Sequence, residues 1–137
     1  MELVDVPAQP PPDHAELLYR IAAEAVVLQD RAEDVLAAIS RHEHLGVLAG
    51  RGGPLVRRFF ALRDQLPTDC PDARLARAAA TLDTILYHHA MQVATALEFL
   101  ALEWRSERLA ASVDAITGLG APAALLDEVY AELRDTR

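Results

Sequence analysis

The sequence predicts an all-α protein: a four- or five-helix bundle, mainly antiparallel, behind a Pro-rich N-terminal arm. Three observations lead there. Twenty-six alanines and twenty-one leucines stand against six glycines in 137 residues, a composition that favours helix over strand. Apolar residues recur in steps of three and four along two long segments, and no stretch alternates like a strand beside turn residues. The eight prolines and six glycines fall into four clusters that punctuate the chain. At 52% hydrophobic and 25% charged residues, the chain suits one globular domain, residues 13–137, after an extended arm over residues 1–12. No apolar run approaches the ~18 residues of a membrane span.

The first helix is expected to open with a capping box, Asp13 accepting from the Glu16 amide. Its seam runs Leu18, Ile21, Ala25, Leu28, Ala32, Val35, Ile39, with Arg20, Glu24, Arg31 and Asp34 opposite. Gly46 is the expected residue that ends it. Gly46, Gly50, Gly52, Gly53 and Pro54 read as a loop, and Pro54 as the first turn of a short second helix with the stripe Leu55, Phe59, Leu62, Leu66. Pro67 and Pro71 bracket the next loop. The third helix follows, capped by Asp69 or Cys70, with the seam Leu75, Ala79, Leu82, Leu86, His89, Val93, Ala96, Leu100. Unbroken to Thr117 it would span roughly 65 Å, too long for this domain, so a break is expected near Arg105–Ser106. Gly118 and Gly120 mark a last loop, and Pro122 opens a final helix with Leu126, Val129 and Leu133 inward.

Thirteen basic against twenty-one acidic residues give a net charge of −8. Such a surface repels phosphate backbones, which argues against nucleic acid as a partner. The exception is local: residues 46–66 carry Arg51, Arg57, Arg58 and Arg63 against Asp64 alone. The acidic, proline-rich amino terminus lacks the basic and apolar regions of a signal peptide. Cys70 is the one cysteine, so a disulfide framework is excluded and a reducing compartment, the cytoplasm, is expected.

Five histidines raise a metal hypothesis that their spacing does not support. Helix-borne ligands must lie three or four residues apart to share a face. None of His14, His42, His44, His88 or His89 has a carboxylate or another histidine at that spacing, so Glu-x-x-His and His-Glu-x-x-His are absent. No metal and no cofactor is expected. His42 and His44 are read as last-turn residues of the first helix, favoured by its dipole. His88 is expected at the surface. Asp69 and Asp72 flank Cys70 and oppose thiolate formation, and no nucleophile elbow is present. Trp104 is expected to pack, with Arg108 one turn on.

Two constellations survive. His89 falls on an inward position, where imidazole needs a partner. The candidate pocket is His89 and Val93 with the small or apolar neighbours Ala96, Ala25, Leu28 and Ala32. Residues 50–58 join glycines to arginines, so Arg51, Gly52, Gly53, Arg57 and Arg58 form a candidate anion site using free backbone N–H groups. The Walker and dinucleotide spacings are missing there. No catalytic residue is assigned. The expected function is a non-catalytic interaction or accessory protein, self-associating or binding a protein partner through helix faces. The alternative is a small-molecule-binding or enzyme domain with a pocket around His89, taking a small apolar or anionic ligand.

Overall fold

A computed structural model describes residues 13–136 of the chain. The expected Pro-rich arm, residues 1–12, lies outside them. The described residues are all-helical: α1 (His14–Ser40), α2 (Leu45–Asp64), α3 (Ala73–Leu102), a single 3-10 turn (Glu103–Arg105), α4 (Glu107–Asp114) and α5 (Ala121–Thr136).

The seams fix the packing. Every seam residue of α1 from Leu18 to Ile39 is buried. So are Ala79 to Leu100 on α3, and Leu126, Val129 and Leu133 on α5. α3 lies against α1, α2, α4 and α5 and is the centre of the fold. α2 and α3 run in opposite senses, because Phe60 meets Tyr87 and Arg63 meets Asp83 further towards the α2–α3 turn. α1 and α5 do the same, with Tyr19 stacked on Tyr130 and Gln29 bonded to Ala123.

Local chemistry sets the ends. The Asp13 carboxylate accepts from the Glu16 amide at 3.0 Å, as its position predicts. The break after α3 falls at Ser106, which turns extended and caps α4 by accepting from the Leu109 amide. No proline or glycine is needed, because one hydroxyl reorganises the amides of a new helix start.

Four expectations are corrected. α1 ends at Ser40, not near Gly46. The Glu43 amide donates to Ala38 and the His42 amide to Ile39, and His42 takes the left-handed position, φ 58°, that glycine usually fills. The run Gly46–Pro54 is not a loop: α2 begins at Leu45, capped by His44, and Pro54 sits inside it. Exposed Gly50 tolerates the proline, since water can solvate the carbonyl that loses its amide partner. Gly52 is buried against α3, and a Cβ there would lie 2.8 Å from Leu97 Cδ1. Third, Asp72 caps α3, accepting from the Arg74 and Leu75 amides, in place of Asp69 or Cys70. Fourth, Trp104 is 76% exposed on the 3-10 turn, with Arg105, not Arg108, over its ring.

Candidate functional site

The buried polar centre is built from three helices. The α3 seam carries His89 fully inside. Its Nε2 lies 2.7 Å from Gln29 Oε1 on α1. An amide oxygen only accepts, so the proton sits on Nε2 and His89 donates. The Gln29 amide nitrogen in turn donates to Asp127 Oδ1 at 3.2 Å and to the Ala123 carbonyl at 3.4 Å, both on α5. Phe59 presents its ring edge-on to the imidazole at 5.5 Å. Burial, and secondarily the neighbouring His88, push the His89 pKa down to about 4, so the imidazole is neutral at physiological pH. His89 Nδ1 has no hydrogen-bond partner among the described residues. The array ties α3, α1 and α5 together through one uncharged ring, and among the described residues no carboxylate is hydrogen-bonded to that ring.

The residues grouped with His89 divide. Ala25, Ala32, Val93 and Ala96 belong to the apolar core. Leu28 belongs to that core too and in addition lines a groove of about 800 Å³ between α1 and α2. Arg51 and Arg58 from the other constellation line the same groove. There Arg58 is bidentate to Glu24, with Nη2 to Oε1 at 2.6 Å. The hydrogen bonds from Arg58 hold the Glu24 carboxyl below its usual range. Gly52 faces α3 instead, and Arg57 is exposed beside Gly53. The backbone N–H groups expected to be free lie inside α2, committed to its helical ladder. A glycine loop holding an anion is therefore absent, and the arginines act from a helix.

His42 does something its sequence neighbourhood gives no hint of. One ring nitrogen meets Glu103 on the 3-10 turn and the other meets Asp114 at the end of α4. Hydrogen bonds to Asp114 first, and to Glu103, raise the His42 pKa. The protonated ring thus clamps α4 and the 3-10 turn to the α1–α2 turn. A group raised on folding stabilises the fold below its unfolded value of 6.5 and loses that contribution as pH rises through the higher folded value. Amide protection factors over residues 107–114, taken relative to the intrinsic exchange rate at each pH, are therefore expected to fall as pH rises above 6.5. In His42→Ala protection should be low throughout; a wild-type protection factor that does not change with pH would remove the clamp.

His88, expected at the surface, is half-buried, with Nδ1 enclosed and unpartnered. Burial and the adjoining Asp69 and Asp72 raise the Cys70 thiol, which keeps it protonated. Among the described residues no group of three or more His, Cys, Asp or Glu side chains is placed to hold a metal ion, and no helix is long and apolar enough to cross a membrane.

Gln29 is the member of the polar centre that sequence reasoning overlooked. Its signal was available: it stands four residues after Ala25 and three before Ala32, on the buried stripe of α1. A second polar group on an inward stripe is the natural partner of the first. Comparison with protein-family models, curated proteins and solved structures finds no match.

Proposed function

We propose that the protein is a non-catalytic interaction protein of the reducing cytoplasm. Its helices form a mainly antiparallel bundle that associates with a second copy through the outer face of α2 and α3. The observation that carries this reading is the middle of α3. Residues 84–97 contain no Asp, Glu or Arg, their polar side chains being Thr84, His88, His89, Gln92 and Thr95, and a surface depleted of charge suits the core of an interface. On it Tyr87 is 47% and Met91 39% exposed, four residues apart on one face. Phe60 of α2 adjoins them, its ring centroid 6.3 Å from that of Tyr87.

Charge points to the same face. Two chains of net charge −8 repel one another, so contact favours a surface without uncompensated acids. Arg63 lies over the Tyr87 ring at 5.0 Å and is itself paired with Asp83 at 2.7 Å. A tyrosine and an arginine held in place this way are the side-chain types that dominate interface energies. Phe59 is fully buried and takes no part.

Tyr87→Glu with Met91→Glu tests the reading. Both positions are exposed, so helicity should be retained. Light scattering after size exclusion should show the assembly weakened by about thirtyfold or more, the loss of one interface hot spot. An unchanged assembly in the double variant would refute the choice of face.

One observation favours a ligand-binding or enzyme domain around His89, namely its unpartnered Nδ1. On that reading His89→Leu abolishes ligand binding while the protein stays folded; on ours it leaves self-association intact.

A further inference from the structure

The groove between α1 and α2 has a polarity unlike the rest of this acidic protein. Its floor is apolar: Leu28 and Leu55 are nearly buried, Pro54 adjoins them, and Val27 stands 52% exposed at the edge. It is open because α2 presents Gly50 there, where an added Cβ would meet nothing within 4 Å. Glu24 pairs with Arg58 across one end. Two turns further along both helices, the same antiparallel register sets Arg31 opposite Arg51, and both line the groove. Neither is ion-paired among the described residues, although Asp34 also lines the wall. Two arginines without ion-pair partners therefore border the same apolar floor, in a chain whose net charge is −8.

We propose that this groove binds a single-chain amphiphilic carboxylate, with the carboxylate between Arg31 and Arg51 and the acyl chain along Leu28, Pro54 and Leu55 towards the Glu24–Arg58 pair. A carboxylate between the two guanidinium groups relieves their mutual repulsion and can accept from both. The apolar floor supplies the burial that a simple inorganic anion cannot use. The volume, about 800 Å³, lies in the range of small-molecule sites. From Arg31 to Glu24 the groove follows α1 for about 10 Å, which takes about eight carbons of an extended chain, the last carbons of a longer one reaching past the Glu24–Arg58 pair.

Dodecanoate, kept below its micelle concentration, is the probe, titrated calorimetrically into the full chain at neutral pH. One saturable site per chain is expected, weakened about tenfold by Arg31→Gln and again by Arg51→Gln, each removing one charge-assisted contact. Gly50→Leu fills open space on an exposed helical position, so it should keep the helicity and abolish binding. Dodecanol, lacking the charge, should bind the wild type about as weakly as dodecanoate binds the double arginine variant. Absence of saturable binding would overturn the proposal. So would equal affinity for dodecanoate and dodecyltrimethylammonium, or affinity unchanged in both arginine variants.

Discussion

Acidification should remove about 3 kcal/mol of stability through His89 alone, across the window from pH 6.5 to about 4. The cause is that the folded interior refuses a proton that the unfolded chain accepts. Between those two values the unfolded state binds more protons, so stability falls as pH falls. Above 6.5 both states are neutral and the effect is absent; below about 4 both are protonated and the slope ends. Other groups also titrate in acid, the Glu24 carboxyl among them, so the effect is read as a difference. Denaturant unfolding of wild type and His89→Leu at a series of pH values should give a stability difference, wild type minus variant, that falls by this amount as pH drops across the window. A difference independent of pH would show that His89 titrates as freely folded as unfolded.

Gln29→Leu should destabilise the fold by about 1–3 kcal/mol, the cost of a buried donor without an acceptor. His89 Nε2 then loses its partner while Nδ1 already has none. Asp127 is exposed and turns to water, so little of the penalty arises there. If the fold itself supplies the partners of His89, the sequence alone suggests that His89→Leu is tolerated or stabilising. With a buried glutamine as the partner, that single change strands Gln29 Oε1 and should also be costly. The double variant, Gln29→Leu with His89→Leu, removes both groups together and should recover most of the loss. Strict additivity of the two changes in thermal or denaturant unfolding would mean that the two side chains do not interact.

What the sequence could disclose depended on the range of the interaction. The two long seams were legible because a helix repeats its buried face every three or four residues, and His89 was legible as an inward residue for the same reason. The break at Ser106 followed from length alone. α2 was misread because glycine and proline are weak helix formers, whereas Gly52 is there to let α2 approach Leu97 closely. That reason belongs to the packed structure. The His42 clamp joins residues 61 and 72 positions apart, beyond any local pattern. Arg51 stands out in the sequence beside its glycines, whereas Arg31 reads only as part of the polar face of α1, and the packing of two helices is what puts both on one groove.

The claim that this chain works by association through the face at Tyr87 and Met91 is tested most directly by sedimentation equilibrium of the unmodified protein over a wide concentration range. The account predicts a reversible shift towards twice the 14.9 kDa chain mass as concentration rises. A single species of one chain mass at the highest concentrations reached would contradict it.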